Sequence, residues 1–494
     1  MTANKLIKTR GHIGSVLLAL AVVLAMSWRL EAGQQTLAGD VQVGNNLGSI
    51  TPTVEGATNT YDFALDSLNM AGYKIYYNSA QRHLILTNLT EITDSGGTGA
   101  IHTFTSASVT AGYVRVYASS GLTLGGSVLT YGRGGGEVTL AGGNISVSNI
   151  NAGSIWEYLP SGAVTLTATG NVAVGGYITT RNVGTAGAVS ITSGASIVVG
   201  GTTNGFSIEA GAETGGSVSL WATNVILAGG IAANGKSDGT KGAGKAVTIH
   251  NGSGGPARVA IGGDVLTYGR GGGAVSVTAT DISVSNINTR SAYEYNAAGA
   301  VTLTATGTVA VGGYITTTNI GLGGAVSITA GGSITVAGTT NGIGIETRAT
   351  KSNGAYYGGN ITLVSSNGDI KVTGGFDASA AYGLTRRGVI SLSATNGGIT
   401  VGSLDANLFK TISIQAAAGQ PVYVTGAITN FSVSESPKTI TFPAGSVIGN
   451  DMYYLLKENT AIPLSGKYAI FSGTSDTGRL LKPVQDQGTL LMVW

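Results

Sequence analysis

Residues 126–209 of this chain recur at 263–346, 137 positions later and with no gap. Tyr131-Gly-Arg-Gly-Gly-Gly136 returns as Tyr268-Gly-Arg-Gly-Gly-Gly273. Gly162-Ala-Val-Thr-Leu-Thr-Ala-Thr-Gly170 returns as Gly299-Ala-Val-Thr-Leu-Thr-Ala-Thr-Gly307. A long ungapped repeat marks a solenoid, in which each unit covers its neighbour and the end units must be closed. A shorter period lies inside the copy: Gly, any residue, then an apolar-polar-apolar alternation. Its first apolar residues are Val114, Val138, Val164, Val189, Val218, Val247, Val275, Val301, Val326, Ile361, Ile390 and Ile412, spaced 22 to 35 residues apart. The five intervals from Val138 to Val275 make up the whole offset, so the duplication is a block of five small units copied together.

Each unit carries the period-2 alternation of strands. In Val164-Thr-Leu-Thr-Ala-Thr169, the residues Val164, Leu166 and Ala168 face one way and the three threonines the other. Gly170-Asn171 breaks the run, Val172-Ala-Val174 resumes it, Gly175-Gly176 turns the chain, and Tyr177-Ile-Thr-Thr180 makes a third strand. Three short strands per turn of ~27 residues, about a dozen times over, predict an all-β parallel β-helix, or β-solenoid, with stacked Val, Ile, Leu and Ala as its core. A sandwich or barrel would be as rich in strands but would not repeat one motif at rung intervals.

The chain has 494 residues, 81 of them Gly and none Cys, so disulfides contribute nothing to its stability. Only 10% are charged and the net charge is +2, which argues against nucleic acid as a partner. Lys5, Lys8 and Arg10 precede an apolar run from Ile13 to Met26, with small residues at Ala25-Met26-Ser27. This reads as a secretory signal peptide, residues 1–27, and predicts a secreted or cell-surface protein. The run is shorter than the ~20 residues of a membrane span, and no later segment supplies one, so no transmembrane helix is expected after signal removal.

Residues 28–104 break the rung pattern, with Tyr61-Asp-Phe-Ala-Leu65, Tyr73-Lys-Ile-Tyr-Tyr77 and His83-Leu-Ile-Leu-Thr87, and are expected to form an N-terminal β cap. The β-helix proper is expected over 105–430. Residues 431–494, denser in charge and proline, are expected to be a C-terminal cap or small β module. Caps matter because a bare last rung presents a free strand edge.

Two surface features stand out. The first outward position of each unit from Val138 onward is Ser or Thr, and the next is mixed. Together Thr139, Thr165, Thr167, Ser190, Thr192, Ser276, Thr278, Thr302, Thr304, Ser327 and Thr329 make a candidate hydroxyl face. Such a face is either a stacked ladder of strand-forming residues or a lattice that orders water, as on an ice-binding solenoid. Trp221, His250 and Val364 interrupt it. Aromatic residues also recur in the turns before the anchors: Tyr131, Trp156, Tyr158, Tyr268, Tyr293, Tyr295, Tyr356, Tyr357 and Tyr382. These are candidate ligand or partner contacts if the rings point outward; otherwise they fold back over the glycine-rich turns.

The residues of catalysis are sparse. Acidic residues do not align at one rung position in the sequence, and Asp264 and Asp281 are replaced by Ser127 and Asn144 in the earlier copy. The four His show no ligand spacing, and no Ser sits in a nucleophile-elbow motif. Neither an enzyme nor a cofactor or metal is expected. An enzyme acting on polysaccharide is the alternative with chemistry in mind.

The Gly-x-Val-x-Leu rungs, Gly-Gly turns and basic-apolar leader resemble the passenger regions of bacterial filamentous-haemagglutinin-like and autotransporter-type adhesins, over roughly residues 105–430. The resemblance implies a right-handed parallel β-helix acting at the cell surface in adhesion. It implies no catalytic residue. Only about 60 residues follow the helix, too few for a fused barrel translocator, and the Asn-Pro motif of two-partner secretion domains is absent. The expected role is an exported structural or adhesive rod whose partners are glycans, cell-surface proteins or other copies of itself, the last giving a self-stacking filament.

Overall fold

The computed structural model describes residues 33–429, apart from 78–81, 104–109, 157, 237–241, 252–257, 294, 352–355, 382–385, 406–407, 418–419, 421 and 426–427. It also describes three later strands, Ile440–Thr441, Tyr454–Leu456 and Arg479–Leu481. The expected signal peptide, Tyr382 and most of the expected C-terminal module lie outside the described residues.

The chain winds as a parallel β-solenoid of about twelve turns. One turn shows how. Strand a, Val164–Ala168, bends at Gly170 into strand b, Val172–Val174; Gly175-Gly176 then leads into strand c, Ile178–Thr179. Strands a and b of successive turns join one 29-stranded sheet, and the c strands form a second of 13. From Val138 to Gln415 every a strand pairs in parallel with the next without a slip of register.

Parallel strands are normally covered on both faces and read as continuous apolar runs. Here the coil covers one face with its own interior and leaves the other open, so parallel strands alternate as antiparallel ones do. The inward columns are the predicted anchors: Val138, Val164, Val189, Val218, Val247, Val275, Val301, Val326, Ile361, Ile390 and Ile412 are all buried. A second a column (Leu140, Leu166, Ile191, Leu220) and the b and c columns complete one continuous core. Burying each such side chain contributes about 1.5–3 kcal/mol.

The glycine of the Gly-x-Val motif has a steric cause. A methyl group on Gly162 would lie 2.0 Å from the carbonyl oxygen of Gly136, and one on Gly187 would lie 2.0 Å from that of Gly162. The column continues through Gly216, Gly299, Gly324, Gly359 and Gly388, while Lys245 stands in its line before Gly273. Opposite this column runs a buried column of Thr or Ala two residues past the inward residue of strand c. Thr130 Oγ1 donates to the Gly136 carbonyl at 2.6 Å, Thr180 to Gly187 at 2.6 Å, Thr289 to Gly299 at 2.5 Å and Thr347 to Gly359 at 2.6 Å. The glycine N–H returns a bond to the same residue's carbonyl, as from Gly136 to Thr130 and Gly324 to Thr317. Each turn is thus clasped at its base.

The ladder begins earlier than residue 105, where the motif starts. Strand Thr58–Asp62 pairs in parallel with His83–Thr93, which pairs with Val114–Thr123; Lys74–Tyr76 pairs with Ala100–His102. These turns escape the motif because their core residues are larger, Tyr61, Phe63 and Met70 among them, and because His83–Thr93 rounds the a–b corner as one strand. Tyr61 is fully buried; its hydroxyl donates to Asn45 O at 2.7 Å and accepts from Gly44 N–H at 3.0 Å. At this end Thr53–Glu55 folds antiparallel onto Thr58–Asp62. Beyond Gln415 the ladder continues through Val422–Val424 and Ile440–Thr441, and Tyr454–Leu456 pairs antiparallel with Arg479–Leu481.

Candidate interaction surfaces

The clasp separates two kinds of chain. Below it, strands a, b and c recur in register, and differences in length are confined to their corners, as at the Thr203–Phe206 bridge. Above it, the turns vary from five residues (131–135) to eleven (348–358), and these turns carry the aromatic candidates.

The duplicated turns fold alike. Gly132 bridges Ser154 and Gly269 bridges Ser291 in parallel. Ser154 Oγ donates to Arg133 O at 2.7 Å and accepts from the Trp156 N–H at 3.2 Å. Ser291 Oγ does the same with Arg270 O at 2.6 Å and Tyr293 N–H at 3.2 Å. The pinned loop sets the aromatic ring under an arginine: Arg133 lies 4.1 Å from the Trp156 ring centre and Arg270 lies 4.2 Å from that of Tyr293. Such a contact is worth about 0.5–1 kcal/mol at an exposed site. The Nε atoms of Arg133 and Arg270 are both buried with no hydrogen-bond partner among the described residues.

The rings divide between the two expected arrangements. Tyr131, Tyr268, Tyr293 and Tyr356 are half-buried. Arg290 lies over Tyr268 at 5.6 Å, and Tyr295 meets Tyr293 edge-on at 5.4 Å. Trp156 offers a part of its surface, while Tyr158 (79% exposed), Tyr295 (71%) and Tyr357 (49%) stand out from the same corner of the coil.

The hydroxyl candidates lie on the open face of the a strands, in register. Thr165 follows Thr139 and precedes Ser190; Thr167 precedes Thr192; Ser276, Thr302 and Ser327 form one column, and Thr278, Thr304 and Thr329 the other. Rungs are ~4.8 Å apart. Thr139 Oγ1 donates to Glu137 at 2.8 Å, but the other ten make no side-chain hydrogen bond among the described residues. The columns therefore present hydroxyls to solvent rather than bonding along the ladder. Trp221 and His250 stand in register across them, ring centres 5.6 Å apart.

Two acidic residues do align, contrary to the sequence expectation. Glu346 and Asp377 are in register on successive c strands. The expectation failed because a c strand is only a few residues long and its register follows from the pairing, not from a motif. Arg348 Nε sits 2.8 Å from Glu346 Oε1, and its Nη1 sits 4.0 Å from Asp377 Oδ2. Thr316 Oγ1 donates to Glu346 Oε2 at 3.2 Å. Burial pushes the Glu346 carboxyl up, against the pull of Arg348 and with the help of Asp377. Asp377 also accepts from Ser379 N–H at 2.9 Å, so the pair braces the base of a turn. Asp281 caps a corner by accepting from the N–H and hydroxyl of Thr308, both at 2.7 Å, which holds its carboxyl below the usual range. Asp264 accepts from Asn286 at 2.8 Å.

Among the described residues no three His, Asp or Glu side chains gather as a metal site, and no helix is long and apolar enough to cross a membrane. The class this fold defines is the parallel β-solenoid. Compared with protein-family models, with curated proteins and with solved structures, the chain finds no match in any of the three.

Proposed function

We propose that this protein is an exported structural and adhesive β-solenoid that meets glycans, cell-surface proteins or other copies of itself through the turn ridge. The observation that carries this reading is the outward placement of Tyr158, Tyr295 and Tyr357 on one corner of a rigid coil. Exposed aromatic rings on an ordered backbone lose little entropy on contact and supply large apolar area. The basic-apolar leader supports export. Glycan-array and whole-cell binding of the mature protein, with the double variant Tyr158→Ala/Tyr295→Ala beside wild type, tests it. Binding should fall by roughly ten-fold or more, ~1.4 kcal/mol. Binding that both changes leave intact would remove the ridge from the contact.

A second reading, ordering of interfacial water or ice, is favoured by the in-register, unbonded hydroxyl columns. Thermal hysteresis of the purified protein tests it, and its absence rejects it. A self-stacking filament is the other reading of the coil's ends; at the N-terminal end Thr53–Glu55 covers the edge of Thr58–Asp62, while Gln34–Thr36 pairs on one side only among the described residues.

A further inference from the structure

A groove of 410 Å³ opens on the a-strand face near the N-terminal end, away from the turn ridge. Its origin is a fault in the ladder. Between His83–Thr93 and Val114–Thr123 the register shifts at Leu86/Leu89 and again at Leu89/Glu91. Asn88 absorbs the extra length with φ of 54°, in the left-handed region that Asn tolerates better than most residues. The facing loop holds two more such residues, Ala64 at 49° and Leu65 at 77°. Asp62 Oδ1 fixes both sides: it accepts from Ala64 N–H at 2.9 Å and from Asn88 Nδ2 at 2.9 Å, while Leu65 N–H donates to Asn88 O at 2.7 Å. Backbone held in such conformations costs stability, and it persists where surrounding structure imposes it.

This bracing raises Leu65, 61% exposed, as one wall. Tyr117, 42% exposed, forms the other. The floor beside the Tyr117 ring is low because its in-register neighbour is Ala141, followed by Gly142. Beyond the floor stand Thr167 and Thr169, with Thr87 on the bulge. The hydroxyls of these three threonines have no hydrogen-bond partner in the protein among the described residues. Among the described residues no charged side chain lines the groove.

We propose that this groove binds two or more linked, uncharged pyranose units of an oligosaccharide, the C–H face of one against the Tyr117 ring, with hydroxyls of the run against Thr87 at one end and Thr167 and Thr169 at the other. A flat ring, an aliphatic wall and free hydroxyls match a ligand that is apolar on its faces and hydroxylated at its rim. The lack of charge gives an anionic sugar no partner and leaves its desolvation uncompensated. The volume falls within the ~300–1,000 Å³ of small-molecule sites. The proposal stands on residues that the turn ridge does not contain.

The test is titration of the mature protein, by calorimetry and tyrosine-resolved NMR, with cellohexaose, xylohexaose and maltohexaose, and with hexagalacturonate as the anionic comparison. At least one neutral hexasaccharide should bind, more tightly than hexagalacturonate. Its affinity should fall ten-fold or more in Tyr117→Ala and in Ala141→Trp, which fills the floor, and by a smaller factor in the near-isosteric Thr167→Val. The ridge variant Tyr158→Ala/Tyr295→Ala should bind it unchanged, so loss of the adhesive reading leaves this one standing. No binding of any neutral hexasaccharide, or binding that Ala141→Trp and Thr167→Val leave intact, overturns the proposal.

Discussion

Thr289 shows how much one hydroxyl does in this coil. It is fully buried, and its Oγ1 donates to the Gly299 carbonyl across a nine-residue turn. Thr289→Val keeps the shape and strands that carbonyl, so unfolding free energy measured by denaturant titration should drop by about 1–3 kcal/mol, while Thr289→Ser should lose less. The clasp was not legible in the sequence. Thr is common in the strands here, and its partner lies six to twelve residues away across a turn of varying length. His83 supplies a second test. It stacks on Tyr113 with ring centres 4.2 Å apart, and its Nδ1 accepts from the Tyr113 N–H at 3.2 Å. Burial first, then Arg82 and Arg115, hold its pKa below 6.5. A depressed histidine pKa means the unfolded chain binds the proton more tightly. The stabilisation is therefore complete above pH 6.5 and is lost as pH falls through the folded value. The melting temperature should decline between pH 7 and pH 5, and His83→Gln should flatten that decline. An unchanged slope would assign it elsewhere, His102 being the other histidine held low, by burial and Lys74.

At the scale of the strand, alternation told inside from outside with little error. Leu166 is fully buried, as its place between Val164 and Ala168 requires, and Thr167 is exposed. Leu166→Ala should cost about 2–5 kcal/mol. Because each rung touches only its neighbours, hydrogen exchange should accelerate most in the adjoining strands Val138–Gly142 and Val189–Ser193 and least near Ile390. Uniform acceleration along the coil would mean that it unfolds as one unit. Alternation failed where strands broke their own rule. His83–Thr93 and Val114–Thr123 each pass the corner as one unbroken strand, and two register shifts lie between them. Periodicity assumes an unbroken strand, so neither the N-terminal rungs nor the groove between Leu65 and Tyr117 could be read from spacing. The turn aromatics were found by position, but their exposure depended on arginines that approach from neighbouring turns, as Arg133 approaches Trp156.

Across the whole molecule, period translates into length. From Thr58–Asp62 to Thr411–Gln415 the coil runs about 60 Å at ~4.8 Å per rung. The five-rung block is flanked by the same residues, Tyr131–Gly136 and Tyr268–Gly273. Deleting residues 138–274 should therefore rejoin Val275 to the rung of Val114 with nothing out of place. Small-angle scattering should show a rod shorter by about 24 Å with an unchanged cross-section. An aggregated or thickened product would mean that the two copies are not interchangeable in the stack. The period was legible because every rung must meet its neighbours, and that constraint writes the same residue types at the same interval. The functional surfaces were less so, since outward residues meet no such constraint.

The clasp at the base of each turn has a consequence for how such a chain can change. Where the clasp is described, both ends of the turn are tied before the turn begins, so the length of the loop is decoupled from the coil. A segment five residues long and one of eleven leave the same footprint on the rung beneath. Closure of a longer loop adds little, roughly 0.6 kcal/mol for each doubling. The corner of the coil is thus a row of sockets at fixed pitch, each able to accept a new peptide without retooling the frame that holds it.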